Sequence, residues 1–278
     1  MKPVEINDNV GIELEQAETG YWRDYFNYAP EYLRNKIGVN FKMINGAFIG
    51  TVSKVDILAF NRVLGFGIES GVDENQIESI IDFYRQAGVQ RFFLPVNPFA
   101  GTILTERLLE EYGFTYHNNW AKFYKKLSGP FPTSASDVEV VSANTNESKI
   151  FDAIIKNSFE WQDDVACLFS TTMGKLGWKH YFAKINNQKV GAAAMYYKNG
   201  YASLAIAGTL PGYRGAGVQG ALITTRLNDA FNAGCKYVVV ETAEDKPGKP
   251  SASNRNMKRF GFELAYLRKN YIYYIENL

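Results

Sequence analysis

Two stretches of the chain repeat one order of elements, and this repetition limits the fold more than any other feature. Phe83-Tyr84-Arg85-Gln86-Ala87-Gly88 followed by Arg91-Phe92-Phe93-Leu94 parallels Ala230-Phe231-Asn232-Ala233-Gly234 followed by Tyr237-Val238-Val239-Val240. Further on, Tyr112-Gly113-Phe114 parallels Phe260-Gly261-Phe262. Gly88 to Gly113 is 25 residues and Gly234 to Gly261 is 27. A helix ended by glycine, a buried strand and a second helix, met twice in that order, predict two similar α/β units. The 278 residues, 46% hydrophobic and 21% charged, suffice for two domains of about 100 to 150 residues. Upstream the copies differ: Ile68 to Gly88 spans 20 residues and Ile206 to Gly234 spans 28. What the first copy lacks is a glycine-rich loop before its helix.

Pattern and breakers place the elements. Leu127-Ser128-Gly129-Pro130-Phe131-Pro132-Thr133-Ser134-Ala135-Ser136 has neither helical nor strand periodicity and reads as an interdomain linker. The division that follows is a first domain over 1–128, a linker over 129–136 and a second domain over 137–278. In the first, a helix is expected over Gln76 to Gln86, a buried strand over Arg91 to Val96, a helix over Thr102 to Tyr112 and a strand pair around Phe114 to Tyr124. The aromatic start with Tyr21-Trp22, Tyr25-Phe26 and Tyr28 fits the helix layer of that domain better than a docking surface. In the second, a strand is expected over Tyr201 to Thr209, a helix over Val218 to Asn232 ended by Gly234 and a strand over Lys236 to Glu241, with a further helix and strand after them.

Charge and composition exclude several functions. The net charge is +1 with acidic and basic residues interleaved, so no field gathers nucleic acid or anionic lipid. The start lacks the apolar core of a signal peptide and no run of about 18 apolar residues occurs, so a cytoplasmic protein is expected. Cys167 and Cys235 lack CxxC spacing and a neighbouring histidine, which argues for reduced core thiols and against a zinc site. With only His117 and His180 available, a histidine metal centre or a Ser-His-Asp triad is poorly supported, and no metal is expected.

The chemistry is concentrated where Tyr201 to Thr209 runs through Leu210-Pro211-Gly212-Tyr213 into Arg214-Gly215-Ala216-Gly217-Val218-Gln219-Gly220. This is a strand, a turn and a helix. The first N–H groups of a helix have no intrahelical acceptor and the dipole is positive there, so an anion is held without a charged side chain. Glycines let backbone approach a diphosphate closely. Arg214 has donors for either a phosphate or the turn's own carbonyls. The Lys-Ser/Thr of a P-loop is missing, but glycines at the first, third and sixth positions, with Glu241 about 20 residues on, also suit a dinucleotide turn. The same glycines also serve as a plain tight connection.

At these residues the sequence resembles the GNAT superfamily of N-acetyltransferases, whose signature is Arg/Gln-x-x-Gly-x-Gly/Ala between the fourth strand and third helix. Arg214, Gly217 and the preceding Pro211-x-Tyr213 match it, whereas Gln219 departs at the last position, with Gly220 following, which should widen the turn. The resemblance covers about residues 137 to 278 and implies a first strand at Asp137 to Val141, helices up to Leu176, strands at Trp178 to Lys184 and Val190 to Tyr197 and a closing strand over Asn270 to Ile275; the first half looks like a degenerate unit of the same kind. It implies a tandem α/β (α+β) protein of two GNAT-like domains, each a mixed, mostly antiparallel sheet flanked by helices. It further implies acetyl-CoA as cosubstrate, its pantetheine arm on Ala207-Gly208-Thr209 and its diphosphate on the amides of Arg214, Gly215, Ala216, Gly217, Val218, Gln219 and Gly220. An amine, small-molecule or peptide, would attack the thioester directly, with a backbone N–H near Ala207 stabilising the oxyanion.

Glu241 is the candidate catalytic base, because a carboxylate closing an apolar strand is partly desolvated and raised in pKa; a solvated or capping strand-end residue is the alternative. Asp163 and Asp164 either line the acceptor pocket or cap a helix before Val165. Many members carry a general-acid tyrosine four residues before the equivalent of Gly261-Phe262, where this chain has Met257. Tyr266 and Tyr271 are expected to pack on strands, and Ser251 and Ser253 to cap a helix. Two rivals remain open at this point: a catalytically silent acyl-CoA sensor or interaction module, motivated by Met257, and a nucleotide-dependent oxidoreductase using the same turn.

Overall fold

The computed structural model of the chain describes residues 3, 6–99, 101–132, 137–161 and 164–275. In chain order the helices are α1 (Asp8–Asn27), α2 (Glu31–Ile37), α3 (Glu74–Ala87), α4 (Thr102–Glu111), α5 (Ser148–Phe159), α6 (Cys167–Ser170), α7 (Val218–Asn232) and α8 (Ala252–Arg259). The strands are β1 (Val39–Ile44), β2 (Ala47–Val52), β3 (Arg62–Leu64), β4 (Arg91–Val96), β5 (Thr115–Lys126), β6 (Glu139–Ser142), β7 (Trp178–Ile185), β8 (Gln188–Lys198), β9 (Tyr201–Thr209), β10 (Tyr237–Ala243) and β11 (Glu263–Tyr274). The chain divides into two compact units: Met1–Phe123 with Glu241–Leu278, and Tyr124–Val240. The break expected at 129–136 is therefore not where the packing divides. The chain leaves the first unit within β5 and returns to it within β10. The C-terminal stretch joins the first unit because β11 pairs antiparallel with β4, from Lys269↔Val96 to Tyr274↔Arg91.

The first unit orders its strands β1-β2-β3-β4-β11-β5, mostly antiparallel, with β3 and β4 parallel. α1 is started by Asn7, whose side chain accepts from the Asn9 N–H, and it buries Leu14, Tyr21, Trp22, Tyr25 and Phe26 at helical spacing. The aromatic start is thus a helix layer. α3 begins at Asp73, whose carboxylate accepts from the Gln76 N–H, and ends at Gly88 in the left-handed conformation. Its Ile77, Ile80, Ile81 and Tyr84 face a core that includes Phe92 and Leu94 of β4. Each of those aliphatic side chains contributes about 2 kcal/mol on burial. Tyr84 stacks on Phe92 at 3.9 Å and donates to the Gly50 carbonyl, so one ring both fills the core and pins β2.

The strand pair expected over Phe114 to Tyr124 is one strand, β5. Its polar middle is accommodated because Asn118 accepts from the Asn270 amide at 2.7 Å and Asn119 donates to Glu244 at 3.0 Å.

The second unit orders its strands β10-β9-β8-β7-β6, with β9 and β10 parallel and the others antiparallel. The described residues of this unit do not form the doubly wound parallel sheet that the dinucleotide reading requires. α5 and α7 lie on opposite faces. A Cβ on Gly208 would meet Ser158 of α5 at 2.7 Å, and one on Gly191, whose neighbour Ala192 pairs with Gly208, would meet Val218 of α7 at 2.5 Å. Part of the stretch read as a linker belongs to this unit: the Phe131 N–H donates to Asn228 of α7 at 2.7 Å, and the Asn228 amide returns a bond to the Phe131 carbonyl. Residues 133–136 lie outside the described residues. Among the described residues no helix is long and apolar enough to cross a membrane, and no group of three or more His, Cys, Asp or Glu is placed to hold a metal ion.

Candidate functional site

In the second unit, β9 ends at Thr209 and a short 3-10 turn over Pro211–Tyr213 leads to the start of α7. Gly215 (φ 86°) and Gly217 (φ 81°) both take the left-handed conformation that side-chain-bearing residues avoid. Open space surrounds both, since a Cβ on either would find nothing within 4 Å. Gly217 is the N-cap of α7, and no side chain caps this helix. The N–H groups of Val218, Gln219 and Gly220 consequently point from the helix start with no acceptor among the described residues. This is the arrangement that attracts an anion.

Two side chains brace the turn. Arg214 donates from Nη2 to the Ser158 carbonyl at 2.9 Å, and it lies 3.6 Å from Glu160. It therefore ties the turn to the C-terminal end of α5, where a cation suits the helix dipole. Gln219, the departure from the family signature, donates from Nε2 to the Thr209 hydroxyl at 2.9 Å. That bond spans the turn from the end of β9 to the first residues of α7.

The strand leading to the turn is open along one edge. β9 and β10 pair at Tyr237↔Tyr201, Val238↔Ala202 and Val239↔Ser203 only. Past Ser203, Ala205, Ile206 and Ala207 are half-buried, between the buried Ala202, Ser203 and Leu204 and the buried Gly208 and Thr209. On the other edge β9 carries an extra residue against β8, because Ala194 pairs with Ile206 while Tyr196 pairs with Ser203. Such a bulge re-aims backbone groups locally. The fully buried Arg226 of α7 donates to the Ala194 carbonyl at 3.3 Å, beside this irregularity. The sequence reading brought together Ala207, Gly208, Thr209, Arg214, Gly215, Ala216, Gly217, Val218, Gln219 and Gly220, and the structure sets all ten along this strand end and turn.

Glu241 has a different setting from the solvated strand end that was one reading of it. It belongs to the first unit, in a buried network with Glu15 and Glu18 of α1, Arg62 of β3, Lys122 of β5, and Tyr266 and Arg268 of β11. Arg268 holds Glu241 Oε1, and Arg62 Nη1 lies 3.2 Å from Oε2. Arg62 also pairs with Glu18 at 2.6 Å, Arg268 with Glu15 at 2.8 Å and Glu18 at 2.9 Å, and Lys122 with Glu18. Trp22 and Trp120 lie over the Arg62 guanidinium at 4.5 and 5.2 Å. Three carboxylates face three cations, all 6% exposed or less. Burial pushes the Glu241 carboxyl up to about 7. Glu18 goes the other way: burial opposes its ionisation, but Arg268, Lys122 and Arg62 around it hold it well below the usual carboxylate range. The guanidinium Nε atoms of Arg62 and Arg268 are buried without a partner.

The remaining candidates are distributed as follows. Asp164 opens a 3-10 turn before Val165 and lies 3.4 Å from Lys156; Asp163 lies outside the described residues. Ser251 caps α8, accepting from the Asn254 N–H. Met257, Tyr266 and Tyr271 are buried, the tyrosines on β11. Cys235 is buried and Cys167 half-buried, and neither forms a disulfide among the described residues. His180 is buried with Nε2 3.1 Å from the Phe169 carbonyl, and burial lowers it to about 4.

One group was missed by the sequence reading. Asp152 of α5 is raised to about 6 by burial, with Ser170 and Cys167 hydrogen-bonding to it, while its Oδ1 is buried without a partner. A single aspartate inside an amphipathic helix looks solvent-facing in sequence, so no local signal marks it.

No protein-family model matches the sequence, and no curated protein matches it. Solved structures do match. A GCN5-related N-acetyltransferase from Kribbella flavida aligns at TM-score 0.63 and 16% identity, covering 94% of this chain and 95% of that one. Another from Sphaerobacter thermophilus aligns at 0.60 and 13%, covering 96% and 92%. A tandem GNAT protein from the clavulanic acid biosynthesis pathway aligns at 0.60 and 13%, covering 99% and 98%. The fold is GNAT-like. Identities this low carry the fold alone, and the end-to-end match to the tandem protein extends the GNAT-like fold over the whole chain.

Proposed function

We propose that this GNAT-like protein is an N-acetyltransferase that holds acetyl-CoA on the Gly215 to Gly220 turn and passes the acetyl group to an amine. The observation that carries this reading is the uncapped start of α7, with two left-handed glycines in open space, directly after a strand whose edge is unpaired past Ser203. The free amides of Val218, Gln219 and Gly220 suit a diphosphate. The unpaired edge at Ala205 to Thr209 offers backbone groups to the pantetheine amides, and the small side chains of Ala207 and Gly208 leave room for them.

In the reaction the amine nitrogen attacks the thioester carbon, the carbon–sulfur bond breaks and CoA leaves as the thiolate. The amine gives up one proton. Backbone N–H donation near Ala207 would stabilise the oxyanion. Glu241 is the proposed acceptor of the amine proton, since a carboxyl near 7 takes up a proton at neutral pH. No acid is assigned to the thiolate, because Met257 offers none.

The test is release of CoA thiol from acetyl-CoA across a panel of primary amines, with acetylated product identified by mass. Glu241→Gln separates the roles of base and ion partner. A fall in kcat with an unchanged KM for acetyl-CoA supports the base, and loss of stability alone assigns Glu241 to the network. The absence of an acid at Met257 and the ion-paired state of Glu241 favour a second reading, an acyl-CoA sensor. Tight acetyl-CoA binding with no turnover on any amine would select it.

A further inference from the structure

The end of α5 carries an aromatic stack that the reading above does not use. Phe159 and Trp161 lie with ring centres 4.7 Å apart and planes 14° apart, and Trp161 continues onto Phe169 at 6.0 Å and 18°. Phe169 is buried at the base, and Phe159 at the outer end is 43% exposed. The backbone reversal that makes this stack is unusual. Glu160 is a side-chain-bearing residue in the left-handed conformation (φ 57°), and both its own N–H and that of Trp161 return to the Lys156 carbonyl. Glycine is the ordinary residue at such a helix end. Backbone held in this region tends to mark functional sites.

The stack is attached to the proposed cofactor turn. Ser158, the residue before Phe159, gives its carbonyl to Arg214, and its side chain lies where any Cβ on Gly208 would fall. Glu160, the residue after Phe159, lies 3.6 Å from the same arginine. An exposed flat ring is therefore placed one residue from the backbone group that the turn's arginine holds. Aromatic faces stack on planar rings with little regard to substituents.

Resting on the acetyl-CoA reading, we propose that the Phe159–Trp161 stack is a platform for a planar aromatic ring of a ligand bound at the turn. Two sources share this chemistry: the adenine of CoA itself, or a ring carried by the acceptor amine. Phe159→Ala removes the outer ring, and because that ring is half in solvent the fold stays intact.

The experiment is calorimetric titration of the full-length protein and of Phe159→Ala with CoA and with 4′-phosphopantetheine, which lacks the adenine. The CoA complexes are then titrated with 2-phenylethylamine and 2-cyclohexylethylamine. If the ring is adenine, Phe159→Ala weakens CoA roughly tenfold and leaves phosphopantetheine unchanged. If it belongs to the acceptor, CoA affinity is unchanged and the preference for 2-phenylethylamine over its saturated counterpart disappears in the variant. A variant that matches the wild type for all four compounds overturns the platform while leaving the acetyl-CoA reading standing. Wild-type protein that binds neither CoA nor phosphopantetheine removes the acetyl-CoA reading and the platform with it.

Discussion

The two units each contain a strand, a turn and a helix in the same order, and they start that helix in opposite ways. In the first, α3 is capped by Asp73, whose carboxylate accepts from the Gln76 N–H at 2.8 Å. In the second, α7 starts at Gly217 with no side-chain cap. A carboxylate already occupying a helix N-terminus both satisfies its donors and repels a second anion, whereas bare amides beside left-handed glycines leave the position open. The strands before the helices differ in the same sense. β3 is three residues long and fully buried, and after it the Asn97 amide binds the Phe66 carbonyl at 3.0 Å. β9 is nine residues long and keeps three half-buried residues on its unpaired length. Of the two copies of this fold, only the one whose helix start is left unsatisfied keeps open donors for an anion.

The comparison can be broken from either side. The largest effect is expected in the first unit, where charge is spent on structure. Arg268→Met leaves Glu15, Glu18 and Glu241 with two cations, and losing one partner of a buried ion pair costs about 3–5 kcal/mol. Urea unfolding monitored by tryptophan fluorescence measures it, and a change within error would mean that the network is solvated in solution.

Gly217→Asp places in the second unit the carboxylate that the first already has. Aspartate tolerates the left-handed region and finds open space there, so the fold should survive. Like-charge contact with a diphosphate costs several kcal/mol, so acetyl-CoA affinity should fall by about 100-fold or more in a fluorescence titration. Unchanged affinity would move the cofactor elsewhere.

Asp152→Asn tests whether the second unit keeps a costly group. The Asp152 carboxyl is raised to about 6 from 3.8 by burial, so its contribution to stability is complete below pH 3.8 and lost as pH rises through 6. At pH 7 the variant should be more stable by about 3 kcal/mol, with the difference closing below pH 4. A variant less stable than wild type at pH 7 would show the carboxylate to be fully hydrogen-bonded. The smallest effect is that of Asp73→Ala, which removes a cap worth about 1 kcal/mol and should leave acetyl-CoA binding untouched.

Short-range chemistry made much of this molecule readable in sequence. The bounds of β4, β9 and α7 coincide with those expected, because apolar runs and glycine stops lie within each element. The glycine turn before α7 was legible for the same reason: its open amides come from backbone freed by adjacent glycines. The ion network was not legible. Glu15, Glu18, Lys122 and Arg268 look like ordinary surface charges, and the bond between Arg268 and Glu15 joins residues 253 positions apart. Nor does any local pattern tell that β11 pairs with β4, the pairing that packs the C-terminal stretch with the first unit. Asp73 is an ordinary N-cap in sequence, and its meaning emerges only beside Gly217.

The most direct test is the stoichiometry of acetyl-CoA binding to the full chain by isothermal titration calorimetry. The account predicts one molecule per chain, abolished by Gly217→Asp and unaffected by Asp73→Ala. Two molecules per chain, or one that survives Gly217→Asp, would contradict it.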